Sequence, residues 1–302
     1  MAYTADNSVT IKARFTVQPD SITRADIRAV STDSDGSLGD VVNTTVTFSG
    51  GVSVGDSDGY VVFPISGKTP NAVKKTTTDT WQWKAGNING DGGSFVCDFD
   101  VSGPHTVYTI LGEPVAPWSN IYGNRRNGWV TVLDFACLWA ETATNNSAVV
   151  SRITTGAYSG FGKTYDGSQS HTYGTHCFLS NMLSDSVVDC RDMSAVVHLF
   201  SNILGVSGVQ VKPVGGPFWY KRILPINSTT WVDGAWNFHQ FGWYDGAVYD
   251  ACVKLRESAP YIPVHDELNG SYKTNLYDEA KTSQYSGWGW TPEPAFLILT
   301  FE

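Results

Sequence analysis

Along the first third of the chain, apolar and polar residues alternate over short stretches, the period-2 signature of half-buried strands. The clearest run is Val9-Thr10-Ile11-Lys12-Ala13-Arg14-Phe15, within a stretch at 9–17. Further stretches lie at 41–48, 59–65, 80–84, 95–101 and 105–111, separated by turn-forming runs such as Gly55-Asp56-Ser57-Asp58-Gly59. Six short strands at this spacing predict an antiparallel β-sandwich of immunoglobulin-like architecture, without the Cys-Trp-Cys spacing of a true immunoglobulin domain.

The texture changes across a stretch rich in Pro, Gly, Asn and Arg at 112–127. The predicted organisation is an N-terminal β-sandwich over 1–114, a linker over 115–128 and a second domain over 129–302. In that second domain apolar residues first recur at helical spacing. Val132, Phe135, Leu138 and Trp139 mark one helix face, and Val149, Val150 and Ile153 another. A third helix is predicted over 189–205, where Met193, Val196, Val197, Phe200, Ile203 and Leu204 form a buried stripe and Gly205 a stop signal. Strand texture returns at 209–213, 218–225, 236–243, 247–255 and 295–301. Helices followed by an antiparallel sheet predict an α+β fold class.

Composition narrows the partners. With 302 residues, 41% hydrophobic and 16% charged, the chain can build a real core in each domain. A formal net charge of −9 argues against nucleic acid and anionic membrane surfaces as partners. No apolar run nears the roughly 18 residues of a membrane-spanning helix, so no membrane insertion is expected. The start, Met1-Ala2-Tyr3-Thr4-Ala5-Asp6, lacks the blocks of a secretory signal. The expected location is cytoplasmic, or outside the cell by a route independent of such a signal.

The five cysteines, at 97, 137, 177, 190 and 252, are irregularly spaced and odd in number, which points to reduced thiols. No metal and no cofactor is expected. Cys177 beside His176 is not followed by paired Cys/His spacing. Asp33-Ser34-Asp35-Gly36 and Asp56-Ser57-Asp58-Gly59 lack the remaining ligands of a calcium loop and read as tight turns.

Cys190 carries the candidate chemistry. It falls in the first turn of the 189–205 helix, where unpaired backbone N–H groups and the macrodipole favour a thiolate over a thiol. A thiol nucleophile needs a base and a group that orients the base. Downstream, Asp245-Gly246 is a favoured pair for a two-residue type I′ turn. With that turn, Tyr244 pairs with Ala247, and continued pairing sets Phe241 opposite Asp250 and His239 opposite Cys252. His239 and Asp250 then share a face as diagonal neighbours, roughly 7–8 Å apart at Cα. His198, on the Cys190 helix, is read as structural.

These residues resemble a known family. Cys-x-Asp opening a helical run that ends in Leu-Gly, a histidine on a strand, and Asp-Gly-x-x-Tyr-Asp are similar to the transglutaminase-like core of the papain-like cysteine enzymes, over about 129–256. The resemblance implies Cys190 as nucleophile, His239 as general base and acid, and Asp250 as the residue that orients the imidazole. The short His239-to-Asp250 interval implies a trimmed hairpin. The implied reaction is acyl transfer on a peptide or protein substrate, first of all hydrolysis of a peptide or side-chain amide by a cysteine protease or deamidase. Cross-linking by amine transfer, or a non-catalytic protein that keeps the fold, are the alternatives. The oxyanion would be held by the Cys190 N–H and one upstream side chain, with Trp139, Tyr173, His176 and Asn181 as candidates.

Overall fold

In a computed structural model, which describes residues 2–32, 38–95, 97–120, 126–255, 266–298 and 300–301, the chain divides into two compact units, Met1–Thr109 and Ile110–Glu302. The architecture is mixed α+β. The sequence-predicted turn at 33–36 lies outside the described residues.

The first unit is built of strands, with one short 3-10 turn at Ile88–Gly90: β1 (Ala2–Thr4), β2 (Ser8–Ala13), β3 (Arg24–Ser31), β4 (Val41–Ser49), β5 (Val52–Ser53), β6 (Val61–Lys68), β7 (Lys74–Gly86) and β8 (Cys97–Ile110). Hydrogen bonds join them in the order β1-β8-β7-β3-β4-β6-β2, with β5 on β4. Alternate residues of these strands meet in one cluster that includes Ile27, Val46, Phe63, Trp81 and Trp83, so the sheet curls around its own core. Edge-to-face contacts fix the rings there, with Phe63 at 5.7 Å from Phe15 and 5.5 Å from Trp83.

Two features differ from the sequence expectation. β3 was not expected, because two of its three inward residues, Ala25 and Ala29, are small and weak as strand signals. β8 runs unbroken where two strands were predicted, passing straight through Gly103-Pro104. The turn at Asp56 is a tight turn. Asp56 Oδ1 accepts the N–H groups of Asp58 (3.2 Å) and Tyr60 (3.0 Å), and Oδ2 meets Lys12 Nζ at 2.9 Å.

The second unit opens with α1 (Arg126–Trp139) and α2 (Asn146–Gly160), the latter capped by Asn145, whose side chain accepts from Ala148 N–H. Short pieces follow: β9 (Thr164–Tyr165), β10 (Thr172–Tyr173), β11 (His176–Cys177), α3 (Leu179–Ser184) and β12 (Val187–Val188). α4 (Cys190–Ile203) is next, and every residue of it but Arg191 is buried. Phe200 anchors it by stacking on Trp139 at 5.5 Å and meeting Phe161 at 6.1 Å.

Residues 111–118 are fastened to the end of this helix. Leu111 and Gly112 N–H donate to Leu204 O, Val115 N–H to Asn202 O, and Trp118 Nε1 to Leu199 O at 2.7 Å. Gly205 makes that approach possible. Its φ is +91°, and a Cβ there would fall on the Gly112 carbonyl.

The remaining strands are β13 (Gln210–Gly215), β14 (Phe218–Pro225), β15 (Val232–Trp236), β16 (His239–Tyr244), β17 (Ala247–Tyr249), β18 (Val253–Leu255), β19 (Thr291–Pro292) and β20 (Thr300–Phe301). They form a sheet of order β17-β16-β13-β19 and another of order β15-β14-β18, while β20 joins β11. α4 packs across β16 and β13. Among the described residues no helix is long and apolar enough to cross a membrane.

Candidate active site

α4 begins at Cys190 because Asp189 caps it. Asp189 Oδ1 accepts the N–H groups of Arg191 (2.9 Å) and Asp192 (3.0 Å), and Asp192 Oδ2 reaches back to the Asp189 N–H at 3.3 Å, which completes a capping box. Met193 N–H bonds the Asp189 carbonyl. Of the N–H groups in this first turn, that of Cys190 is left without an acceptor among the described residues. The cap is braced from outside by His171. Its N–H and Nδ1 meet Asp192 at 2.9 and 3.0 Å, and its Nε2 meets Asp185 at 3.2 Å. Burial alone would lower the pKa of His171, but the two carboxylates raise it above the ordinary histidine value.

The hairpin carrying the other two residues turns at Asp245-Gly246 with φ of +48° and +78°, the conformation of a type I′ turn. Tyr244 pairs with Ala247 and Gly242 with Tyr249. The ladder stops there, one residue before Asp250, because the chain bends through Asp250-Ala251-Cys252. Asp250 Oδ1 holds that bend by accepting the Cys252 N–H at 2.8 Å. His239 pairs with Val214 on β13, on the far side of β16.

His239 and Asp250 are brought together, with Nε2 and Oδ2 2.9 Å apart and both side chains buried. Tyr272 Oη donates to the same Oδ2 at 2.7 Å. The other ring nitrogen, Nδ1, is buried without a formed hydrogen bond. Trp236 lies flat on the imidazole, centroids 4.4 Å apart and planes 12° off parallel, and Tyr220 backs Trp236 at 4.2 Å. Burial alone would lower the pKa of His239. The Asp250 carboxylate and the adjoining Cys190 side chain outweigh it and raise the pKa to about 10. The indole face is a further favourable neighbour for a charged ring.

Cys190 is 5% exposed and His239 and Asp250 are fully buried. The other cysteines differ. Cys137, Cys177 and Cys252 are buried and Cys97 is exposed. Burial pushes the Cys252 thiol well up, and so does the nearby Asp250 charge. Burial likewise raises Tyr165, whose neighbours include Cys252 and Cys190.

Of the upstream donors considered, Trp139 belongs to the aromatic core of α1, α2 and α4. His176 packs on Phe178 at 4.6 Å, and Asn181 is an exposed residue of α3. Tyr173 lies beside Arg191. His198 is buried, with Nδ1 2.7 Å from the Val209 carbonyl oxygen and Nε2 3.1 Å from that of Ile298.

Sequence reasoning missed Tyr272 and the specific role of Trp236. Tyr272 sits 22 residues after Asp250 in a segment without periodic pattern. Trp236 had a usable signal, three residues before His239 in an aromatic run. Compared with known proteins, the chain matches no family model and no curated protein sequence.

Proposed function

We propose that this protein is a thiol-dependent acyl-transfer enzyme, a cysteine hydrolase of the transglutaminase-like type, with Cys190 as nucleophile, His239 as general base and acid, and Asp250 as the orienting carboxylate. In this reading the second unit is a papain-like core and the first an immunoglobulin-like sandwich. The observation that carries it is the His239 ring. One nitrogen is held by Asp250, and the other is buried and unpaired beside the Cys190 side chain. A buried, unpaired ring nitrogen is costly and calls for a reason. Proton exchange with Sγ supplies one.

The chemistry follows from that arrangement. The proton of the Cys190–His239 pair rests on the imidazole, the Cys190 thiolate attacks the amide carbonyl, and the oxyanion is met by the unpaired Cys190 N–H. The proton then passes from His239 to the leaving amine as the C–N bond breaks. Water hydrolyses the thioester, with His239 as base. Proton transfer of this kind contributes about 10²–10⁴-fold, and one oxyanion donor about 10²–10³-fold.

The test is a complex peptide mixture incubated with the wild-type chain and with Cys190→Ala, and read by mass spectrometry. New peptide termini or glutamine-to-glutamate conversions should appear only with the wild type. Adding a labelled primary amine separates hydrolysis from amine transfer. Equal peptide patterns in the two chains would sink the proposal.

A further inference from the structure

Arg191, the single residue of α4 that is not buried, has no part in the chemistry above. It follows the candidate nucleophile directly, and its guanidinium lies over two rings, Tyr173 at 5.5 Å and Phe238 at 5.4 Å. Phe238 immediately precedes His239, so this cluster lies beside the Cys190–His239 pair. Both rings are exposed, 55% for Tyr173 and 36% for Phe238, and so open to a ligand.

The guanidinium is held from one side only. Nε donates to Asp189 Oδ2 at 2.9 Å, and the side chain keeps 29% exposure. The two terminal nitrogens have no acceptor among the described residues. Asp189 has little further capacity, because its Oδ1 is already taken by the two helix N–H groups. A guanidinium fixed at Nε and flanked by rings presents its remaining N–H donors as a rigid fork, the geometry that matches a carboxylate. The bond to Asp189 also keeps Arg191 protonated against the opposing effect of burial.

We infer that Arg191, framed by Tyr173 and Phe238, is a substrate subsite that recognises a carboxylate close to the scissile amide. This deepens the proposed function and rests on it. The substrate class is then an anionic amide: a peptide whose reacting bond lies next to a free C-terminal carboxylate, or next to an Asp or Glu side chain.

The test compares alkylation of Cys190 by iodoacetate, which carries a carboxylate, with that by neutral iodoacetamide, each followed by mass spectrometry. The ratio of the two rates cancels changes in the thiol itself. For Cys190 in the wild type the ratio should exceed that of glutathione at the same pH by about 10-fold or more, the worth of one charge-assisted contact. Arg191→Gln should lower it by about 10-fold, and Arg191→Lys should fall between. A wild-type ratio equal to that of glutathione, or an unchanged ratio in Arg191→Gln, would overturn the subsite while leaving the nucleophile intact. A Cys190 that neither reagent modifies faster than the other thiols would overturn the acyl-transfer reading, and the subsite with it. The carboxylate's source is read from the peptide mixture, by whether the modified bonds lie at chain ends or beside Asp and Glu.

Discussion

Asp250→Asn is expected to lower the pKa of His239, followed by NMR of the imidazole, by about 1–3 units from its wild-type value of about 10. An opposite charge beside a titrating group favours its charged form by about that much, and each unit is worth about 1.4 kcal/mol. Asp250 is the main charge that keeps the buried His239 ring protonated, at 2.9 Å from Nε2. Asparagine keeps the shape, and with its oxygen in the Oδ1 position it still accepts the Cys252 N–H, so the bend after β17 should survive, while its NH2 takes the Oδ2 position and donates to the Tyr272 hydroxyl. What it lacks is the negative charge. His239 would lose its proton at a correspondingly lower pH, and with it the positive neighbour that favours a thiolate. A variant that folds with a near-normal thermal midpoint and keeps the wild-type titration of His239 would show that Asp250 does not act through His239.

The second large effect is on stability against pH, and it is cleanest in Cys190→Ser, where no thiol titrates in the site. His239 still faces Asp250 there. The folded chain holds the imidazole proton above the ordinary histidine value, up to about 10 in the wild type. The unfolded chain releases it near 6.5. Between those limits the folded state binds the extra proton, so its contribution is full below about 6.5 and is lost as pH rises through the folded value. Urea titrations should show Cys190→Ser losing about 2–3 kcal/mol between pH 7 and pH 9. Cys190→Ser/His239→Gln should be flatter by that amount. His171, also raised by its carboxylates, is present in both chains and cancels from the comparison. Equal slopes would mean that the buried pair does not hold the proton.

The site was readable in sequence where local rules govern it. Asp189 and Asp192 around Cys190 form a helix start of recognisable type, and Asp245-Gly246 fixes the parity that sets His239 and Asp250 on one face. The pairing did not run as far as expected. The ladder ends at Tyr249, and the approach of the two side chains depends on the bend that Asp250 itself caps. Tyr272 was invisible because its place comes from long-range packing, against Phe241 and Trp290, rather than from any repeating pattern.

The fold shows the same division. 218–225 was predicted as a strand and β14 has those bounds, since its residues mark the strand strongly. β3 went unseen because alanine fills two inward positions. α4 was expected to bury one stripe, yet it is enclosed almost all round. The residues that cover its polar side, such as Gln240 donating to Ser194 Oγ at 2.7 Å, come from distant strands. The exception to that enclosure, Arg191, is where the subsite proposal begins.

The central claim is that Cys190 is an activated thiol paired with His239. The most direct measurement is the iodoacetamide reactivity of all five cysteines at pH 6, residue by residue, in the wild type and in His239→Ala. Access alone would make the exposed Cys97 the fastest and leave Cys190, at 5% exposure, among the slow thiols. Activation predicts the reverse order in the wild type, with the advantage of Cys190 gone in His239→Ala. A Cys190 slower than Cys97, or equally fast with and without the imidazole, would contradict the account.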